Sequence, residues 1–67
     1  MDWSVHLGKN VLKYRTAKSW SQQTLAGEAE LSLRYLAGVE RGEENPTLNT
    51  IVAIAAALEI GPSELLK

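Results

Sequence analysis

At 67 residues the chain is near the lower size limit for folding around one hydrophobic core, and it has no cysteine for a disulfide or a cysteine-based zinc site. Hydrophobic residues make up 45% of it, yet no apolar run approaches the roughly 18 residues that span a membrane. The first residues do not have the pattern of a signal peptide. We therefore expect one soluble domain over residues 1–67, located in the cytoplasm.

Charge is unevenly distributed along the chain. The formal net charge is −1, although nucleic-acid-binding domains are more often basic overall. Residues 1–41 carry six basic and four acidic side chains, a net of +2, whereas residues 42–67 carry one lysine and four glutamates, a net of −3. Because the distribution of charge matters more than its total for attracting a polyanion, the first 41 residues are the candidate nucleic-acid-binding half.

Apolar periodicity and serine caps predict the first three helices. The first helix runs from about Ser4 to Lys18, with apolar side chains at helical spacing. Ser21 and Ser32 can cap the second and third helices, since a serine hydroxyl accepts a hydrogen bond from a free backbone N–H of the first turn. The third helix ends at Arg41, and Gly42 takes the position just past a helix that favours glycine.

Two further helices are predicted in the last third of the chain. Residues 43–47 form a turn, because Pro46 disfavours helical backbone angles at the residue before it. A fourth helix spans Leu48–Leu58 and is broken by Gly61 and Pro62, and a last turn over Ser63–Leu66 directs Leu65 to the core. The fourth helix carries a wide apolar stripe, made of Leu48, Ile51, Val52, Ile54, Ala55 and Leu58.

Between Gln22 and Val39, small and apolar residues fall where two short helices that cross at a tight turn need them. They are Leu25, Ala26 and Ala29 on the first of these helices, Leu31 in the turn, and Leu36 and Val39 on the second. In such a pair the first helix lies over the DNA backbone and the second enters the major groove. Sequence-specific binding to double-stranded DNA is therefore the leading hypothesis.

Four motifs occur in order along roughly residues 7 to 66. They are Ser21-Gln22-Gln23-Thr24-Leu25-Ala26, Val39-Glu40-Arg41-Gly42, Asn45-Pro46-Thr47-Leu48, and Ile54-Ala55 with Leu58. Together they resemble the Cro and phage-repressor-type helix-turn-helix family, also called Xre-type regulators. By size the chain is similar to stand-alone members such as the controller proteins of restriction-modification systems. The resemblance implies an all-α, five-helix, lambda-repressor-like domain that regulates transcription as a homodimer on a near-palindromic operator.

The resemblance also implies a recognition helix at about Ser32–Arg41 and a set of DNA-contacting residues. These are Gln22, Gln23, Ser32, Leu33, Arg34, Tyr35, Ala37, Gly38 and Arg41. The two glutamines would meet the phosphate backbone. Arg34 is the strongest candidate for reading a base, because its guanidinium can bond O6 and N7 of guanine together, which is worth about 1–3 kcal/mol of discrimination. Contact with phosphate alone is the alternative.

Other positions of the implied interface leave alternatives open. Leu33 could touch a thymine methyl group or simply be exposed. Tyr35 is more often a packing residue than a reader of DNA. Ala37 and Gly38 stand where other members of the family have long polar side chains, which indicates fewer direct base contacts and more readout of DNA shape.

Five charged residues need a separate interpretation. Arg15 and Glu40 occupy positions that usually pair inside members of this family, so we expect them to fix the recognition helix rather than bind DNA. Glu43 and Glu44 lie where the family commonly has basic residues, and they would repel phosphate unless their loop points away. Glu30 takes a turn position often given to glycine, and a left-handed conformation there would cost it roughly 1 kcal/mol.

The sequence contains no nucleophile constellation, metal-ligand cluster or glycine-rich phosphate loop, so we expect no enzyme activity, no cofactor and no small-molecule effector. We expect the homodimer to form through the end of the fourth helix and the fifth helix, around Ile60, Pro62, Leu65 and Leu66, with Trp3 as a second candidate. The alternative function is a protein-interaction module that keeps the fold without binding DNA. Such a module would be nearly indifferent to salt and to Arg34→Ala.

Overall fold

The computed structural model describes residues 2–67, which form five helices with no strand among them. Helix α1 spans Trp3–Ala17, α2 Gln22–Glu28, α3 Leu33–Glu40, α4 Leu48–Leu58 and α5 Pro62–Leu65. The predicted all-α, five-helix fold is confirmed, and the helix bounds that the sequence predicts agree with the observed ones to within about one residue. Within the described range no helix is long and apolar enough to cross a membrane.

All five helices contribute side chains to one hydrophobic core. Its largest fully buried members are Val11, Leu25, Leu36, Val39, Ile54 and Leu65. Burying one such side chain is worth about 1.5–3 kcal/mol, and a chain of this length has few of them. The helix-turn-helix is therefore held by side chains from the other three helices as well as by its own.

The apolar stripe predicted on α4 is only partly buried. Ile51, Ile54, Ala55 and Leu58 enter the core, but Leu48 is 68% exposed and Val52 is 43% exposed. The arc of apolar side chains is wider than the face that a core of this size covers, and positions one turn apart share its uncovered edge. The predicted stripe therefore has a buried part and an exposed edge.

The exposed apolar surface also differs from the one expected for dimerisation. Leu65 is fully buried and Ile60 is half-buried against the core, so neither offers free surface. Trp3 is 57% exposed and Leu66 is 39% exposed. We use the name apolar patch for the four exposed apolar residues Trp3, Leu48, Val52 and Leu66. The end of α4 contributes less to this surface than the sequence indicated.

Helices α1 and α3 cross closely at Gly8. A methyl group on Gly8 would collide with the backbone carbonyl oxygen of Val39 and lie 2.7 Å from that of Glu40. Ala26, a small residue of the predicted crossing between α2 and α3, is also buried, but the crossing at Gly8 was not predicted from the sequence. Gly8 lets α1 support the back of α3 directly.

The helix ends show one agreement and one difference. Gly42 follows α3 with φ +77°, the left-handed conformation expected of a glycine just past a helix. Helix α4 spans Leu48–Leu58 as predicted, but the residue that terminates it is Glu59, with φ +62°, and not Gly61 or Pro62. The chain reverses there through a 3.0 Å hydrogen bond from the Ile60 N–H to the Ala55 carbonyl oxygen. A glutamate therefore takes the role that glycine usually has.

Helix α5 is fixed to α1 by polar contacts on either side of the buried Leu65. The Asn10 side-chain amide donates to the Leu65 carbonyl oxygen over 2.8 Å. The Tyr14 hydroxyl donates to the Glu64 carboxylate over 3.2 Å, and burial together with the charge of Glu64 raises the pKa of Tyr14. These contacts hold a helix of four residues that is too short to be stable alone.

Candidate DNA-recognition surface

A tight turn at residues 29–32 joins α2 to α3. The Leu31 N–H donates to the Ala26 carbonyl oxygen over 2.8 Å, and the Leu31 side chain packs against the core. Glu30 has φ +58°, which is the left-handed conformation expected where relatives often have glycine. The hydrogen bond and the packing of Leu31 offset the cost of that conformation, roughly 1 kcal/mol, and fix the angle between the two helices.

Serine caps fix where the two helices begin. The Ser21 hydroxyl oxygen accepts from the Thr24 N–H at 3.0 Å, and the Ser32 hydroxyl oxygen accepts from the Tyr35 N–H at 3.0 Å. Both caps were predicted from sequence and are confirmed. Because the Ser32 hydroxyl is already used at the start of α3, its contact with DNA stays a prediction.

A buried ion pair locks α3 against α1. Arg15 Nε and Nη2 donate to the two carboxylate oxygens of Glu40 over 2.6 and 2.9 Å, and the side chains are only 11% and 5% exposed. Arg15 Nη1 also donates to the Trp20 carbonyl oxygen over 2.7 Å. Its hydrogen bond with Glu40 raises the pKa of Arg15, although burial opposes this. The structural role expected of this pair is confirmed, and the pair fixes the rotation of α3 about its own axis.

Gln22 takes part in this network instead of pointing freely outward. Its side-chain amide donates to the Glu40 carboxylate over 2.9 Å, and the residue is half-buried. One N–H of that amide is therefore used inside the protein, and the contact of Gln22 with the phosphate backbone stays a prediction. Gln23, the next residue, is exposed at the start of α2, and its contact with the phosphate backbone stays a prediction.

The outward face of α3 carries most of the residues predicted to meet DNA. Leu36 and Val39 point into the core, and a period of 3.6 residues turns the intervening positions away from it. Leu33 is 46% exposed and Arg34 is exposed. Tyr35 is half-buried and packs against the core, which is the packing position favoured for it in the sequence. The exposed or half-buried residues of this recognition face are Leu33, Arg34, Ala37 and Arg41.

Two glutamates after α3 modify the end of this face. Gly38 is buried although it lies opposite the core side of α3, because the Glu44 side chain lies over it: a Cβ on Gly38 would stand 2.9 Å from Glu44 Cγ. Gly38 is therefore covered by Glu44 in this structure, and its place in the DNA interface stays a prediction. Arg41 pairs with Glu43 over 3.1 Å on the surface, and that hydrogen bond raises the pKa of Arg41.

Comparison with known proteins agrees with this geometry. The chain matches the helix-turn-helix family HTH_3 over residues 11–65. Control protein C.SmaI of Serratia marcescens is 39% identical over 66 residues, which cover 98% of this chain and 79% of that protein. Control protein C.BamHI of Bacillus amyloliquefaciens is 40% identical over 60 residues, which cover 88% of this chain and 74% of that protein. The chain belongs to the Xre-type helix-turn-helix family.

A solved structure extends the likeness to three dimensions. The crystal structure of the restriction-modification controller protein C.AhdI from Aeromonas hydrophila is 45% identical and has a TM-score of 0.90, covering 92% of this chain and 94% of that one. The resemblance inferred from the four motifs is thereby confirmed, together with its all-α fold. Xre-type helix-turn-helix proteins are DNA-binding transcriptional regulators rather than enzymes, and this chain is a regulator of that class.

The position of the Glu44 side chain over Gly38 was not predicted from the sequence. Both loop glutamates were expected either to face phosphate or to point away from DNA. Instead, one is paired with Arg41 and the other lies across the recognition helix. The available signal was Gly38, since a glycine on the outward side of a helix leaves room for a side chain from elsewhere.

Proposed function

We propose that this chain regulates transcription as a homodimer that binds a near-palindromic operator in double-stranded DNA, with residues 1–67 acting as one DNA-binding domain in the cytoplasm. The observation that carries the proposal is the recognition face of α3, which is turned outward while the Arg15–Glu40 pair holds the helix from behind. A reading helix must keep a fixed orientation, because a base contact depends on placement within a fraction of a hydrogen-bond length.

Arg34 is the base-reading residue in this proposal. It is the second residue of α3, at the N-terminal end that contacts base edges in this class of proteins, and it is exposed. No ion pair within residues 2–67 engages its guanidinium. A free guanidinium can donate two hydrogen bonds to a guanine in the major groove. Leu33, exposed beside it, supplies an apolar contact suited to a thymine methyl group.

The apolar patch supports the homodimer. Leu48 and Val52 lie one turn apart on α4, while Trp3 and Leu66 line a crevice together with Ile51, the residue next to Val52. Apolar side chains grouped in this way are stabilised by covering them, and a two-fold axis lets one patch cover the same patch on a second copy. Two recognition helices would then enter successive major grooves about 34 Å apart.

Selection from random duplex DNA with the purified protein tests the DNA contact. We expect an enriched inverted repeat whose binding falls with salt at a slope of about −0.9 per phosphate contact. Arg34→Ala should bind the enriched site at least about fivefold more weakly. If the folded protein enriches nothing at low salt, the DNA-binding proposal fails and the protein-interaction module is favoured.

Sedimentation equilibrium tests the dimer separately. Val52→Glu and Leu66→Glu should each shift the protein from dimer to monomer while far-UV circular dichroism shows that the helices remain. Leu12→Glu is the matched control, because Leu12 is 42% exposed but lies about half a turn around α1 from Trp3. Monomeric wild-type protein, or equal dissociation of all three variants, would contradict the proposed interface.

A further inference from the structure

The side chain of Glu44 lies on the recognition face although Glu44 does not belong to α3. A Cβ built on Gly38 would have Glu44 atoms as its three nearest neighbours, with Cγ at 2.9 Å and the carboxylate oxygen Oε2 at 3.0 Å. Arg34 precedes Gly38 by four residues and Arg41 follows it by three, so all three share one side of the helix. The Glu44 carboxylate therefore lies over the middle of the face that carries these two arginines.

The backbone after α3 determines this position. Gly42 turns the chain with φ +77°, and the Glu43 N–H then donates to the Gly38 carbonyl oxygen over 2.9 Å. The loop is thus attached to the end of the recognition helix, and Glu44 follows directly. Any residue other than glycine at position 38 would place its side chain in the space that the Glu44 side chain now fills. Where other members of the family have a long polar side chain on the recognition helix, this protein has Gly38, and the loop residue Glu44 supplies a polar side chain at the same place.

The two loop glutamates differ in their partners. Glu43 pairs with Arg41 over 3.1 Å, whereas among residues 2–67 Glu44 forms no ion pair within the salt-bridge distance. An unpaired carboxylate near DNA is repelled by the phosphates. It is favourable only where it meets a hydrogen-bond donor, because an ionised carboxylate accepts hydrogen bonds and donates none.

We propose that Glu44 is a specificity-determining residue that accepts a hydrogen bond from the N4 amino group of a cytosine in the major groove. The inference rests on the proposed DNA-binding function. The donors on base edges in that groove are the amino groups of cytosine and adenine. Adenine carries its amino group beside the N7 acceptor of the same base, which repels a carboxylate, whereas cytosine has no acceptor on its major-groove edge. Where Glu44 meets the N7 of adenine, the O4 of thymine, or the N7 and O6 of guanine instead, it faces acceptors and lowers affinity.

The position of this cytosine follows from the geometry of the helix. Four residues separate Arg34 from Gly38, which is about 6 Å along the helix axis and about the rise of two base pairs. The base read by Glu44 therefore lies within about two base pairs of the one read by Arg34. Each half-site should contain a guanine that depends on Arg34 and, close to it, a cytosine that depends on Glu44.

The test is a parallel selection from random duplex DNA with wild-type protein, Glu44→Gln and Glu43→Gln. Glutamine has the shape of glutamate without its charge, and Glu43→Gln removes the same charge from the adjacent residue. Because Glu43→Gln frees Arg41 from its ion pair, its overall affinity for DNA should change, but it should keep the cytosine preference of the wild type. Glu44→Gln should lose about tenfold in preference for cytosine at one position and keep the guanine that depends on Arg34.

Gly38→Ala is a second variant that leaves Glu44 in the sequence. Its methyl group would displace the Glu44 side chain, so it should lose the same cytosine preference while the domain stays folded. An unchanged motif in Glu44→Gln, with tighter binding to all sequences, would overturn the inference and leave Glu44 as a source of repulsion only. A wild-type protein that enriches no sequence would instead refute the proposed function and the inference with it.

Discussion

Arg15→Met is expected to remove most of the stability of this domain. The substitution leaves the Glu40 carboxylate, whose side chain is 5% exposed, with the Gln22 amide as its remaining side-chain donor. It also takes a donor from the Trp20 carbonyl oxygen. Removing one partner of a buried ion pair costs about 3–5 kcal/mol, because the other charge stays buried without its partner. A core of this size rarely supplies more than about 3–5 kcal/mol in total.

The double variant Arg15→Met/Glu40→Leu should recover much of that loss. It removes both charges and fills the site with apolar atoms, an exchange that is often neutral or stabilising for buried pairs. We expect its loss of unfolding free energy to be smaller than the sum for Arg15→Met and Glu40→Leu by about 2–3 kcal/mol. Urea unfolding followed by circular dichroism measures all four proteins, with sucrose added equally so that the single variants have a folded baseline.

Two results would refute this reasoning. If the losses of the single variants add up to the loss of the double variant, Arg15 and Glu40 do not stabilise the fold as a pair. If Arg15→Met costs less than about 1 kcal/mol, the pair behaves like an exposed surface ion pair despite its burial. Either result would also remove the main reason for regarding the orientation of α3 as fixed.

Three further predictions concern the turns and the core. Glu30→Gly should relieve the left-handed backbone at φ +58° and stabilise the fold by about 1 kcal/mol, which raises the thermal midpoint by about 4–8 °C; an unchanged midpoint would contradict this. Leu65→Ala should lower the free energy of unfolding, measured in urea, by about 2–5 kcal/mol. Leu66→Ala, at a residue that is 39% exposed, should lower it by less than about 1 kcal/mol. Equal losses would contradict the difference in burial between these two leucines. The hydrogen bond and charge of Lys18 lower the pKa of Glu59 below its usual value of 4.5. Because the pKa is lower in the folded protein, the pair stabilises the fold at pH values above 4.5. This stabilisation is lost as the pH falls through the pKa of the folded protein. The loss of unfolding free energy in acid should be smaller in Lys18→Met than in the wild type. If the two proteins lose stability identically with pH, the pair has no effect on stability.

Local rules predicted much of this fold because they depend on neighbouring residues. Ser21 and Ser32 cap α2 and α3 as serines before an apolar periodic segment are expected to, and Gly42 follows α3 in the left-handed conformation. Arg15 and Glu40 are 25 residues apart, so no local rule pairs them. Their pairing was expected only from the resemblance to the family, and the observed contacts confirm it.

The remaining differences come from contacts that no single helix determines. Whether Leu48 is buried depends on how much of α4 the other helices cover, and it is left 68% exposed. Whether the Gln22 amide meets phosphate or protein depends on Glu40, which lies on a different helix. Burial of Gly38 depends on a loop residue six positions later in the chain. Helix periodicity contains none of this information.

The ion pair behind α3 has a consequence for how proteins of this kind change their targets. Arg15 and Glu40 hold α3 from its buried side, so the orientation of the helix does not depend on Leu33 or Arg34 at its surface. Substitutions at these exposed positions should usually alter stability by no more than about 0.5 kcal/mol. A lineage could therefore come to bind a new operator through one or two substitutions on the recognition face, without passing through a sequence that does not fold.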